Sequence, residues 1–337
     1  MGLGTRRAAW AAGAAAFLSL AVMAWARASG VSVRAKLIND VALPLSGMKR
    51  RARDARNLHD AIARHRRVEP ARPSARLRRK FVIEETIWCG AQVFTVHPRT
   101  AWSGTTILYL HGGAWVFDVL VAHWWIIEAL VDRTGARVVL PRYPLAPECT
   151  WRDTYGFLDR LLTTHLATER ERLIVAGDSA GGCLSLGIAQ RLQERGETRP
   201  AGLVLFSPAL DLTLSDPRVG AIAPHDPMLA LPGCREAVRL WATGTPLDDP
   251  RISPLSGPVD GLPPLAVFTG TRDLLHPDAL RLRDRIADAG GTVAFFRYPG
   301  MCHVFVGTPT PEARRALDQA GAFIRACASA RRTQIRP

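Results

Sequence analysis

The chain has 337 residues, 47% of them apolar, which is enough for one large hydrophobic core and excludes an intrinsically disordered protein. Its formal net charge of +14 is unevenly spread: residues 1–80 carry eighteen Lys and Arg against four Asp and Glu, so the remainder is neutral. There is no internal repeat, and the basic stretch has neither interleaved aromatics nor a recognition motif, so no nucleic-acid partner is expected.

Residues 8–26 are uncharged and largely apolar, with Arg6 and Arg7 before them and Arg27, Arg34 and Lys36 after. That length suits either a signal peptide or a membrane anchor, and residues 1–28 are read as one of the two. Ala24-Trp25-Ala26 and Ala26-Arg27-Ala28 offer small-x-small cleavage patterns, which favour export, and Thr5-Arg6-Arg7 has a partial twin-arginine look. The expectation is an exported or envelope-associated protein, with a cytoplasmic one as the alternative. Residues 29–80 read as a basic helical cap segment. Within it, residues 48–67 read as one amphipathic helix with Ala52, Ala55, Leu58, Ala61 and Ile62 on one face. Such a helix either lies on an anionic membrane surface or turns its apolar stripe onto the mouth of the active site. The second use is preferred for the stripe, while the role of the arginines stays open.

From about residue 81 to 328, strand-like runs alternate with helical ones, which predicts one α/β domain with a mostly parallel, doubly wound sheet, followed by a basic tail at 329–337. Residues 106–110 read as a buried strand, and the loop after it, His111-Gly112-Gly113-Ala114-Trp115, can turn backbone N–H groups outward. Gly112 and Gly113 are assigned as oxyanion donors with Ala114 as a candidate third, and His111 is read as a ring that buttresses the loop. Trp115, Phe117, Trp124 and Trp125 are candidates to line an acyl or alcohol pocket, against the commoner use of aromatics as core.

Residues 173–176 form the next predicted strand and residues 183–193 a helix, so Gly177-Asp178-Ser179-Ala180-Gly181-Gly182 sits at a strand-to-helix turn. Such a turn presents the Ser179 hydroxyl above the sheet, and the Ala180 amide, at the positive end of the helix, faces the same spot. A serine nucleophile needs a histidine to take its proton and a carboxylate to orient that histidine. Asp273 follows the predicted strand 265–269, and His303 follows the predicted strand 293–296. The order Ser179, Asp273, His303 is that of an α/β-hydrolase. Asp278 is the rival acid, read as a first-turn helix charge.

The set His111-Gly112-Gly113-Ala114-Trp115, Gly177-Asp178-Ser179-Ala180-Gly181-Gly182, Asp273 and His303-Val304-Phe305 resembles the hormone-sensitive-lipase-like family of α/β-hydrolases over roughly residues 80–328. Arg142-Tyr143-Pro144-Leu145-Ala146-Pro147-Glu148, Asp249-Pro250-Arg251-Ile252-Ser253-Pro254-Leu255 and Ser207-Pro208-Ala209-Leu210-Asp211-Leu212 are similar to further family segments. The resemblance implies a carboxylic-ester hydrolase with a cap of N-terminal helices, often acting on short acyl chains. Ala114, Pro144 and Cys149 depart from the family's usual residues, which bears on acyl and alcohol preference and not on the triad.

The expected chemistry is ester hydrolysis through an acyl-enzyme, on a small-molecule ester or lipid substrate of short to medium acyl length. The alternatives are a receptor that binds a small ligand without turnover and a membrane-associated scaffold. No cofactor and no metal are expected: the six cysteines show no C-x-x-C pair and the nine histidines no metal-like cluster. Cys302 abuts His303, but neighbours in sequence point their side chains apart.

Overall fold

The computed structural model describes residues 21–335. Most of the apolar stretch 8–26 and the Arg6-Arg7 pair therefore lie outside the described residues. Residues 21–28 are helical, and among the described residues no helix is long and apolar enough to cross a membrane.

Eight strands form one sheet: β1 Phe81–Trp88, β2 Ala91–Pro98, β3 Thr106–Leu110, β4 Arg137–Pro141, β5 Leu173–Asp178, β6 Gly202–Phe206, β7 Leu265–Gly270 and β8 Val293–Tyr298. Their order across the sheet is β1-β2-β4-β3-β5-β6-β7-β8, with β1/β2 and β2/β4 antiparallel and every other pair parallel. The parallel strands β3, β5, β6 and β7 are buried along their whole length, as strands covered on both faces must be, and they read in sequence as unbroken apolar runs.

The principal helices are α1 Ala55–Arg66, α2 Val121–Thr134, α3 Trp151–Arg160, α4 Ala180–Glu194, α5 Leu231–Ala242, α6 His276–Asp288 and α7 Pro311–Ile335. Leu184, Leu186 and Ile188 of α4 and Leu282 and Ile286 of α6 join the core on one face of the sheet, whereas Ile127 and Leu130 of α2 and Ala316 and Ile324 of α7 fill the other. Helix α7 runs on through residues 329–335, where the sequence suggests a separate tail.

The chain leaves β3 for β4 on one side and reaches β5 on the other, so a crevice opens at the carboxyl ends of β3 and β5. The two motif loops leave the sheet there. This is what puts residues about seventy positions apart in sequence against one another.

The expected single helix over 48–67 is two helices, Met48–Arg51 and α1. Asp54 breaks it, because its carboxylate caps the Asn57 amide at 2.8 Å and its own backbone is extended. Leu58, Ala61 and Ile62 are buried, and Leu58 and Ile62 belong to the core cluster that holds Trp115 and Val116, but Ala55 is exposed. Helix α1 also ties to the loop after β3: His65 Nε2 accepts the Asp118 amide at 2.9 Å, and Arg66 donates to Val116 O and Ala146 O at 2.9 Å each.

Candidate active site

Ser179 is the hinge between β5 and α4, with φ 54° and ψ −118°, a conformation that L side chains rarely adopt. Its amide donates to Phe206 O at 2.9 Å, and its carbonyl accepts the Ala209 and Cys183 amides at 3.1 and 3.2 Å, so neighbouring elements hold the strained turn. The turn needs small neighbours: a Cβ on Gly181 would strike Leu110 O, and one on Gly177 would strike the Gly181 carbonyl.

His303 Nε2 lies 2.9 Å from Ser179 Oγ, and His303 Nδ1 lies 3.0 Å from Asp273 Oδ2. The tautomer that satisfies both contacts carries its proton on Nδ1, donates it to Asp273 and accepts the serine hydroxyl at Nε2. All three side chains are buried. Burial alone would lower the His303 pKa, but the Asp273 carboxylate, with Asp226 behind it, outweighs this and raises it. The loops that carry acid and base are zipped together: the Arg272 amide donates to Met301 O at 2.9 Å, and the Gly300 amide to Thr271 Oγ1 at 2.9 Å. Val304, at φ 46°, donates its amide to Ser207 Oγ at 3.0 Å, which fixes the backbone just after His303.

Asp278 does not face the histidine. Its Oδ2 accepts the Asp211 amide at 3.2 Å, and burial together with the Asp211 charge pushes its carboxyl up to about 7. Asp273 is the carboxylate that the fold brings to His303.

Opposite this chain of side chains stands the loop after β3. Gly113, Ala114 and Trp115 have φ values of 120°, 53° and 59°, three successive left-handed residues that turn the main chain over. Among the described residues the amides of Gly113, Ala114 and Ala180 donate to no protein acceptor, as groups awaiting a ligand would. The Gly112 amide is different and requires a correction: it donates to Asp178 Oδ1 at 3.0 Å and is not free to serve as an oxyanion donor. Ala114, the candidate third donor, keeps its amide without a protein acceptor among the described residues.

Asp178, fully buried, is the hub of a network that sequence reasoning did not single out. It also accepts Tyr109 Oη at 2.6 Å and lies 3.5 Å from His123 Nε2, whose Nδ1 accepts the Leu120 amide. Burial would raise the Asp178 pKa, yet these partners hold it below the ordinary carboxylate value. The network joins the residue before the nucleophile to the residue before the oxyanion loop. The signal was available inside the motif, since an acid next to the nucleophile in an otherwise apolar strand must find buried partners.

His111 has the supporting place assigned to it. Its ring is fully buried, stacks on Tyr143 at 4.4 Å and contacts Gly112 O through Nδ1 at 2.7 Å, and burial lowers its pKa to about 4, which keeps it neutral. The four candidate aromatics separate. Trp115 stacks on Trp241 at 4.6 Å and Phe117 meets His65 edge-on, both beside the oxyanion loop. Trp124 packs on Phe94 in the opposite core layer, and Trp125 is exposed, so neither is pocket lining. Cys302 is fully buried and burial raises its thiol pKa, which leaves no thiolate there to compete with Ser179.

Residues 107–307 match the model of the alpha/beta hydrolase fold family. The chain is 33% identical over 225 residues to an esterase of Acinetobacter venetianus, covering 64% of this chain and 73% of that one. It is also 33% identical over 228 residues to an acetyl-hydrolase of Streptomyces hygroscopicus, covering 66% and 76%. The crystal structure of a hormone-sensitive lipase from a metagenome library superposes with a TM-score of 0.69 at 27% identity, covering 81% of this chain and 92% of that one. The chain therefore belongs to the α/β-hydrolase family, in its hormone-sensitive-lipase-like branch, and is an ester-hydrolysing enzyme.

Proposed function

We propose that Ser179 is the nucleophile, His303 the general base and Asp273 its orienting acid, and that the enzyme cleaves carboxylic esters of short to medium acyl chains. The observation that carries the assignment is the continuous path Ser179–His303–Asp273, with steps of 2.9 and 3.0 Å in a buried site.

Ser179 Oγ attacks the ester carbonyl carbon while His303 Nε2 takes the hydroxyl proton, and Asp273 stabilises the imidazolium that forms. The carbonyl oxygen becomes an oxyanion facing the amides of Gly113, Ala114 and Ala180. Each such donor is worth about 2.7–4 kcal/mol in the transition state. The bond to the leaving alcohol then breaks, and His303 returns its proton to that alcohol. Water, activated by the same histidine, attacks the acyl-enzyme and releases the carboxylic acid with Ser179 restored.

Two features support the chain-length reading: the likeness to an acetyl-hydrolase, and the stacked indoles of Trp115 and Trp241, which fill space beside the oxyanion loop. Hydrolysis of p-nitrophenyl esters from acetyl to palmitoyl tests both parts. The expected profile peaks at acetyl to hexanoyl and vanishes in Ser179→Ala. A palmitoyl optimum would overturn the chain length, and near-normal turnover by Ser179→Ala would overturn the triad.

A further inference from the structure

We propose that the outer face of the N-terminal helical segment is a docking surface for an anionic lipid bilayer. The helical run 33–46 consists of Val33–Leu37, a π-helical turn Ile38–Ala42 and Leu43–Ser46. It turns Ala35 and Asn39 into the protein, fully buried, while Leu37, Val41 and Leu45, spaced four residues apart on the far side, are 42%, 40% and 78% exposed. Met48 prolongs this ridge, and Met23 and Trp25 lie exposed on the helix before it. A surface helix in water carries polar residues on its outer face, whereas this run exposes Leu37, Val41 and Leu45 there and buries the polar Asn39.

The charges around the ridge name the occupant. Between residues 21 and 53, seven Lys and Arg stand with a single acid, Asp40. That acid is already engaged by Lys36 at 2.7 Å and Arg272 at 2.6 Å. A cavity of about 670 Å³ opens beside the ridge, lined by Lys49, Arg50, Arg53 and Arg272 together with Asp40 and Asp226 among others. Lys49 donates to three main-chain carbonyls, Ala223 O, Pro224 O and Asp226 O, so no carboxylate cancels its charge. Arg50 pairs with no carboxylate among the described residues, and Arg53 has Asp54, the next residue, at 3.4 Å on the exposed surface. Exposed Leu, Val, Met and Trp beside Lys49 and Arg50, two cations that no carboxylate neutralises among the described residues, suit the boundary between acyl chains and anionic headgroups. In sequence, the apolar stretch 8–26 precedes this segment by a few residues.

Docking there would also orient the active site. The inner side of the same run holds the triad loops, with Asn39 donating to Gly300 O at 2.9 Å and Asp40 gripping Arg272, the residue before Asp273. A bilayer on the outer side would lie roughly one helix diameter, about 10 Å, from those loops. The inference stands apart from the ester-hydrolysis reading.

The test is co-sedimentation of the full chain with vesicles of phosphatidylcholine alone or with one-third phosphatidylglycerol. Two variants accompany it, Leu37→Ser/Val41→Ser/Leu45→Ser and Arg50→Glu/Arg53→Glu, each checked for folding by circular dichroism and by p-nitrophenyl acetate turnover. The expected result is at least tenfold tighter binding to the anionic vesicles, since one cation near such a surface contributes about fivefold. Each variant should lose at least tenfold of that binding with turnover unchanged. Equal affinity for both vesicle types, no binding, or variants that bind like the parent chain would overturn the proposal. A dimer dissolved by the serine variant, with vesicle binding intact, would give the ridge to a second copy of the chain and overturn it equally.

Discussion

The two loops that flank Ser179 serve it by opposite means. In the proposed mechanism, Asp273 and His303 act on one side through side-chain atoms, and their backbones hold those atoms in line. On the other side, the proposal has Gly113 and Ala114 act through main-chain amides, with the buried side chains of Asp178, Tyr109 and His123 holding the start of their loop. The first side is therefore sensitive to the identity of its residues. The second is sensitive to conformation, and its most influential side chains touch no substrate.

The largest expected effects fall on the side-chain half. Ser179→Ala should lower kcat for p-nitrophenyl acetate by several orders of magnitude with little change in thermal stability, because it removes the nucleophile and leaves the turn intact. Asp273→Asn should cost about 10⁴ in kcat, since an amide favours the wrong histidine tautomer. Its pH profile sharpens the point. His303 must be neutral to act as base, so activity falls as pH drops through its pKa, which Asp273 raises above the ordinary 6.5. The acidic limb of kcat/KM should accordingly have its midpoint above 6.5, and the residual activity of Asp273→Asn should show that limb moved to lower pH. A limb that does not move would break the assignment of Asp273.

The conformational half should respond more gently. Asp178→Asn keeps an oxygen for the Gly112 and Tyr109 donors but loses the charge facing His123, and roughly tenfold to hundredfold in kcat is expected with KM nearly unchanged. A drop as deep as that of Ser179→Ala would mean that Asp178 does more than position the loop. The smallest effect on activity belongs to Asp278→Asn, which should leave turnover unaltered. Its carboxyl pKa is raised to about 7 in the folded protein, so the folded state holds a proton that the unfolded chain releases near pH 4. The contribution of this carboxyl to stability is thus lost as pH rises from about 4 to 7, and Asp278→Asn should remove that contribution, which the difference between its melting temperature and that of the parent at pH 5 and pH 8 reads out.

The same contrast explains what the sequence disclosed. Ser179 and Asp273 follow apolar runs that match buried parallel strands, and His303 follows a part-exposed edge strand, so their placement at strand ends was legible from patterning and chain order. The free amides of the oxyanion loop were legible only in part. Gly112 looked equivalent to Gly113 in sequence, and only the fold carries the Asp178 carboxylate, 66 positions away, onto its amide. The break at Asp54 was readable in principle as an N-cap, but the apolar spacing on both sides of it suggested one continuous helix. The outward ridge of Leu37, Val41 and Leu45 could not be separated from core residues by spacing, because an apolar stripe on a helix is ordinarily its inward face, whereas here Ala35 and the polar Asn39 face in.

The central claim is that Ser179 is an activated nucleophile, and labelling by a fluorophosphonate probe with peptide mapping by mass spectrometry tests it most directly. The account predicts a single stoichiometric adduct on Ser179, absent in Ser179→Ala and slowed by orders of magnitude in His303→Ala. An adduct on another residue, or unlabelled protein that still hydrolyses p-nitrophenyl acetate, would contradict it.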